Sequence, residues 1–175
     1  IEDWNHNDTH VRVSGTVSGP LSEQLRAINQ SAIGHLLDGV LASATASGKT
    51  DTQLKLDISI EKVHESTVSG QITFADNTLS LWPFMPQLQQ VKGQLNFTEK
   101  GFFIDQIQAQ TLGGALHGKA QWTIDKGLSI QASGRLTAQG LLNDPNWRHQ
   151  LPFVQQWLAG STGFTIQART ENQQQ

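Results

Sequence analysis

The residues able to do chemistry are few and scattered. His6 and His10 lie four positions apart with Asp8 between them, a spacing that two ligands of a metal ion can use. They stand in a polar stretch with no helical pattern, and no third ligand is evident, so solvated side chains are the reading of this pair. His35, His64, His117 and His149 are isolated along the chain, and a solvated or hydrogen-bonded imidazole accounts for each. No G-x-S-x-G elbow offers a serine nucleophile. Glu61 and Glu65 form no recognisable acid pair of the kind that cleaves a glycosidic bond. The chain has no cysteine, which removes a zinc–thiolate site, a thiol nucleophile and disulfides together. No catalytic residue, metal or cofactor is assigned, and the chain is expected not to be an enzyme.

The bulk composition narrows the field further. The 175 residues suffice for one domain. Charged residues make up 15%, below the usual quarter, and Gln, Ser and Thr take the polar positions instead. The net charge is -3 with Lys and Arg scattered singly, which argues against a nucleic-acid footprint, since that needs a basic stripe. No apolar run is long enough to cross a bilayer, and no signal-peptide pattern is visible. The chain opens on Ile1 and closes on the polar run Glu171 to Gln175. It reads as a piece of a longer protein, with residues 1–10 a polar lead-in, 11–170 one domain and 171–175 a polar tail.

What the chain does carry is alternation. Val68, Ile72 and Phe74 alternate with Ser69, Gln71 and Thr73; Leu79 and Leu81 follow a turn expected at Asp76-Asn77. Val91, Leu95 and Phe97 alternate with Lys92, Gln94 and Asn96. After Glu99-Lys100-Gly101, Phe103, Ile107 and Ala109 alternate with polar residues, although the inward register near Phe102-Phe103 stays open. After Gly113-Gly114 come Leu116, Ala120, Trp122 and Ile124. Such alternation bounded by turn residues marks half-buried antiparallel strands, and a slip of one residue would put the Phe and Leu set in water. Further strands are read at Val11–Val17, at Leu54–Ile60, at Leu128–Leu136 and at Phe164–Ala168. Ala42–Thr52 reads as a loop or weak strand.

Two or three short amphipathic helices interrupt this, near residues 21–41 and 146–158. Leu21, Leu25 and Ile28 fall at helical spacing with Ser22 as N-cap; Ile33, Leu36, Leu37, Val40 and Leu41 follow Ser31. Trp147–Leu158 contains Pro152, which would kink or split it. The fold expected is mostly β: a strongly curved antiparallel sheet with short helices at one end or edge. A loose signature recurs at VSGTV (13–17), VSGQI (68–72), VKGQL (91–95) and ASGRL (132–136). It places a glycine on the apolar face of a strand, where it leaves a trough or lets the sheet bend. Trp82-Pro83-Phe84-Met85-Pro86 is the sharpest local feature, read as a plug at one end of the sheet or a gate to its groove.

The order of several segments resembles a known family. GPLSEQLRAINQS, a Ser/Gly-rich gap, LKLDISIE, VSGQITFADNTLSL, the run P-x-L-x-x-V-x-G-x-L-x-F-T-E-x-G from Pro86 to Gly101, and the LGG turn at 112–114 together resemble the YhdP family of AsmA-like proteins over Val13 to Leu142. The chain departs from the family pattern at Ser31-Ala32-Ile33 and at Ile58-Ser59-Ile60, where the family tends to carry proline. The resemblance implies a periplasmic segment of a protein anchored in the inner membrane of a Gram-negative envelope. Its curved sheet would carry phospholipid towards the outer membrane along an apolar concave face. The implied partners are phospholipid acyl chains and neighbouring segments of the same long chain, and no nucleic acid.

An acyl chain needs a dry trough continuous from strand to strand. Burial stabilises it by about 0.8 kcal/mol per CH₂ without any specific contact. The wall residues expected are Ile72, Phe74, Leu79, Leu81, Leu95, Phe97, Leu116, Leu128, Ile130 and Leu136, with Trp82, Phe84 and Met85 at the gate or plug. The alternative reading is a non-catalytic envelope scaffold that works by sheet-edge pairing. A plainer account of the apolar face is an ordinary core covered by the helices.

Overall fold

The alternating segments fold as one antiparallel sheet. A computed structural model describes residues 9–30, 42–62, 65–148 and 159–170. In chain order the elements are β1 (His10–Pro20), α1 (Leu21–Asn29), β2 (Thr45–Ser47), β3 (Lys49–Ser59), β4 (Thr67–Ser80), β5 (Leu88–Thr98), β6 (Gly101–Thr111), β7 (Gly114–Thr123), β8 (Gly127–Thr137), α2 (Ala138–Asn143) and β9 (Ser161–Arg169). The nine strands run in the order β1-β3-β4-β5-β6-β7-β8-β9, with β2 pairing β4 beyond the end of β3. Among the described residues the sheet does not close, and β1 and β9 are its outermost strands. The expected mostly β, curved antiparallel architecture is what the chain adopts.

Register separates the two faces cleanly. Each antiparallel pair puts directly opposed residues on one side. Val13, Leu56 and Val68 form one such row, and Phe97, Phe102, Trp122 and Leu128 another. The opposite face carries Arg12, Asp57, Gln71, Asn96, Lys119 and Gln131. The buried core is a narrow belt of Leu21, Ile72, Phe74, Val91, Ala109 and Leu116 towards the end where α1 docks.

Three local expectations are corrected. Asp76-Asn77 is no hairpin turn: β4 runs straight through it, and Asp76 takes a positive φ of 87° in a bulge. The extra residue moves the apolar positions from even (Ile72, Phe74) to odd (Asn77, Leu79). A hairpin and a bulge both produce that switch of parity. Phe103 does not alternate with Asp105 on the inner face. Phe102 and Ile104 point there, and Phe103 pairs with Asn96 and Gln121 on the polar side. A second bulge lies between Ile104 and Ile107, so both isoleucines stay on the apolar face three residues apart. A third accompanies Gln90, with φ 50°, between Leu88 and Val91. Bulges bend and twist a sheet, which gives this one its curvature.

Ser22 is not the cap of α1. Pro20 occupies the N-cap in extended conformation, with no side-chain cap bond, and Ser22 lies inside the first turn. The weak segment at 42–52 is strand on both sides of Gly48: β2 and β3 lie end to end along β4. α2 is not among the expected helices: it lies in the segment that reads only as a lead-in to the helical stretch at 146–158. Its first turn is capped by Thr137, whose hydroxyl accepts from Gly140 N at 2.9 Å. The helix expected at 31–41 lies outside the described residues, as does that expected at 146–158 apart from residues 146–148, which form a turn.

Candidate functional site

The glycine signature explains how the apolar face is surfaced. Gly70 pairs with Leu54 on one side and Phe97 on the other; Gly93 pairs with Ile107 and Phe74; Gly134 pairs with Leu116 and Phe164. A Cβ added at Gly70 would come within 2.4 Å of Phe97 Cζ, and one at Gly134 within 3.1 Å of Phe164 Cζ. A neighbouring phenylalanine ring therefore lies across the missing side chain. The expected trough at Gly70 and Gly134 is occupied by rings, and the apolar floor is level there rather than notched; at Gly93 the backbone of Gln106 and Ile107 fills the place instead. Aromatic cover of a strand glycine also restores the packing that glycine lacks.

The structure puts the expected wall residues into two zones. Ile72, Phe74 and Leu116 are buried in the belt, where Leu79, Leu95 and Phe97 pack against them. Leu128, Ile130 and Leu136 lie half-buried on β8, on the same face as Trp122, Ala120 and Thr162 respectively. Leu81 follows the end of β4 and is half-buried. Sequence reasoning passed over Ile104 and Val13 as members of this face and left the choice between Phe102 and Phe103 open. Phe102 stacks on Trp122 with centroids 6.4 Å apart. The signal for Phe102 and Ile104 was present as Ile104 and Ile107 at a spacing of three, which only a bulge can keep on one side.

At the belt end, polar groups are fastened. Asn77 is fully buried at 0% exposure. Its side-chain oxygen accepts from Ala75 N at 3.0 Å, and its Nδ2 donates to Ser47 O at 3.2 Å and Lys49 O at 3.0 Å. One side chain thus bridges the β2–β3 break at Gly48 and holds the bulge of β4. The two-residue turn from β6 to β7 has Leu112 and Gly113 at φ 50° and 78°, the geometry of a type I′ hairpin. Leu112 O accepts from Thr137 N at 2.9 Å, which seats α2 and its approach against that turn.

The aromatic loop is latched to the segment after α2. Trp82 and Phe84 stack with centroids 6.2 Å apart and planes 7° from parallel. Trp147 Nε1 donates to Phe84 O at 3.0 Å and Asn146 Nδ2 to Met85 O at 2.6 Å. Buried Asp144 accepts from Gln87 N, Asn146 N and Trp147 N at 2.9–3.1 Å. Phe84 remains 64% exposed, while Trp82 and Met85 are half-buried. The loop is thus fastened to the segment after α2 with the Phe84 ring largely in solvent.

Charge gathers on the polar face. Asp57 accepts from Arg12 Nε at 2.9 Å and meets His10 Nδ1 at 2.6 Å. The Arg12 hydrogen bond, followed by that of His10, holds the Asp57 carboxyl below its ordinary range. His10 is thus engaged with a carboxylate, and His6 lies outside the described residues. No group of three metal-ligating side chains occurs among the described residues. No helix there is long and apolar enough to cross a membrane.

Comparison with known proteins gives one match. A family model described as YhdP protein matches residues 1–175. No curated protein and no solved structure matches. The chain belongs to the YhdP family.

Proposed function

We propose that this member of the YhdP family is a non-catalytic, lipid-conducting segment of a periplasmic bridge between the inner and outer membranes. In this reading a longer chain is anchored in the inner membrane, and phospholipid acyl chains travel along the apolar face of the sheet. The observation that carries the reading is the continuity of that face. It runs from Val13 through Leu56 to Val68, steps diagonally past Glu99 to Phe97, continues through Phe102, Trp122 and Leu128, and steps diagonally past Thr170 to Ala168, across every strand of the main path. Away from the belt its side chains are half-buried or exposed. A hydrocarbon chain laid there gains about 0.8 kcal/mol for each CH₂ removed from water. Headgroups can stay wet at the rim. Because a hydrocarbon chain takes no hydrogen bond, its grip is graded by length of contact alone, which suits a cargo that must leave again.

The test is native mass spectrometry of the purified chain, with organic extraction of what co-purifies. Ile104→Asp and Ile130→Asp each place a carboxylate on the half-buried part of the face, outside the belt. Phospholipid bound to wild type and lost from both variants, with their β-sheet circular dichroism retained, is the expected result. A folded, monomeric wild type that carries no lipid and takes up no fluorescent acyl probe would make the face an ordinary covered core.

A further inference from the structure

The two ends of the inner strands differ in charge. The connections β3–β4, β5–β6 and β7–β8 lie at the end of the sheet away from the belt. Each contains an acidic residue followed at once by lysine: Glu61-Lys62, Glu99-Lys100 and Asp125-Lys126. At the belt end, the connections β4–β5 (81–87) and β6–β7 (112–113) carry no charged residue. Glu99 is half-buried and the other five members of these dipeptides are exposed.

The second and third dipeptides border the apolar face. Ile124 N donates to Lys100 O at 3.0 Å, which sets the two residues opposite each other across β6 and β7. Phe102 and Trp122 are the opposed pair two residues further in, and alternation puts all four on one side of the sheet. A lysine so placed lays its methylenes along the apolar floor and lifts its ammonium into water. Lys126 stands two residues before Leu128, which pairs with Trp122. β6 and β8 are two strands apart, about 9.6 Å. Neither Lys100 nor Lys126 forms an ion pair among the described residues. The Glu99 carboxylate is anchored beside Lys100, accepting from Val68 N at 3.2 Å. Lys62 differs, since it lies 3.5 Å from Glu65 and is engaged within its own connection.

From this arrangement we propose that the rim built by the β5–β6 and β7–β8 turns is a rail for zwitterionic phospholipid headgroups. Lys100 and Lys126 take the headgroup phosphate, and the carboxylates of Glu99 and Asp125 take the headgroup ammonium. The proposal rests on the lipid-conducting reading above and adds the class of headgroup. Charge decides that class. The two turns hold two cations and two anions, so a headgroup with phosphate and no amine would meet a carboxylate beside each lysine. A phosphate joined to an ammonium finds a partner for both charges. Exposed ion pairs are weak, so the rail biases which lipid rides on the floor without arresting it. Sites repeated every second strand let a headgroup pass to the next while its chains shift across the sheet.

The test offers the chain vesicles of equal parts phosphatidylethanolamine and phosphatidylglycerol with a tracer of diacylglycerol, all with the same acyl chains. Captured lipid is read by native mass spectrometry and extraction. Wild type is expected to carry phosphatidylethanolamine over phosphatidylglycerol by about threefold at low salt, as one exposed ion pair of ordinary strength gives. The ratio should fall towards one in about 0.5 M salt. Glu99→Gln combined with Asp125→Asn keeps an acceptor for Val68 N and should abolish the preference while total phospholipid stays the same. Lys100→Gln combined with Lys126→Gln should lower both phospholipids relative to diacylglycerol, with the circular dichroism of the sheet unchanged. Glycerophosphoethanolamine, the same headgroup without acyl chains, should not displace bound lipid; displacement would make the rim a site for soluble phosphate esters and overturn the proposal. Wild type that carries lipid without distinguishing the two headgroups, or a preference that survives loss of both carboxylates, would overturn the rail and leave the apolar face as the lipid site. Folded wild type that carries none of the three lipids would overturn the lipid-conducting reading itself, and the rail with it.

Discussion

Asn77→Ala tests whether the apolar face owes its shape to one buried amide. The side chain is wholly removed from solvent and makes three hydrogen bonds, to Ala75 N, Ser47 O and Lys49 O. A made hydrogen bond contributes about 0.5–1.5 kcal/mol net, and a buried group left without a partner costs about 1–3 kcal/mol. Ser47 and Lys49 are exposed residues, so water can replace part of what their carbonyls lose. Ala75 N, inside the bulge, has less recourse. The sum comes to about 2–4 kcal/mol, and for a chain of this size that is a fall of roughly 5–15 °C in the unfolding midpoint. Urea unfolding followed by circular dichroism gives the free energy. Asn77→Asp sharpens the test: its ionised carboxylate would face two carbonyl oxygens, so it should be worse than alanine at neutral pH and recover in part on acidification. An alanine variant that loses less than about 1 kcal/mol, or an aspartate variant as stable as wild type at pH 7, would refute the role given to this amide.

The register of β6 is checked by a paired substitution. Phe102→Ser removes a half-buried ring stacked on Trp122 and should cost about 2–3 kcal/mol. Phe103→Ser, at a site 46% exposed on the polar face, should stay within about 0.5 kcal/mol; a reversal of the two in denaturant unfolding would put the opposite face inward. The third expectation concerns acid. The folded-state pKa of Asp57 is lowered by Arg12 and then His10, so its contribution is full above the unfolded carboxyl pKa of about 3.9 and fades as pH falls through the folded value. Hydrogen exchange of β1 amides, corrected for intrinsic rate, should rise relative to β7 in that acid window. Asp57→Asn should remove the pH dependence, and an unchanged profile in that variant would clear Asp57 of pinning the edge.

Much of this sheet was legible because a half-buried strand writes its face into every second residue. Leu54 to Ile58, Val91 to Phe97 and Leu128 to Leu136 needed nothing more. Where reading failed, the pattern changed parity. Ile72 and Phe74 are even, Leu79 is odd, and Asp76-Asn77 between them has the chemistry of a turn. The same two residues serve a bulge just as well, and only the pairing of β4 with β5 on both sides of them decides. Ile104 and Ile107 carried the same mark, and Phe102-Phe103 then admitted two registers. The glycine signature was visible, but not what covers it: Phe97 and Phe164 are 27 and 30 positions from the glycines they overlie, a relation that exists only once register is set.

That relation bears on how such a face could move lipid. A row of bare glycines would cut notches into the floor, and a notch the width of a methylene chain would hold it at a fixed depth. Rings laid over Gly70 and Gly134 level the floor where it crosses from one strand to the next. Their contact with hydrocarbon is broad and without direction, so each CH₂ that leaves one strand is matched by one that arrives at the next. The bulges at Asp76, Gln90 and Ile104–Ile107 bend the sheet beneath this floor without interrupting it, because each returns the following apolar residue to the same side.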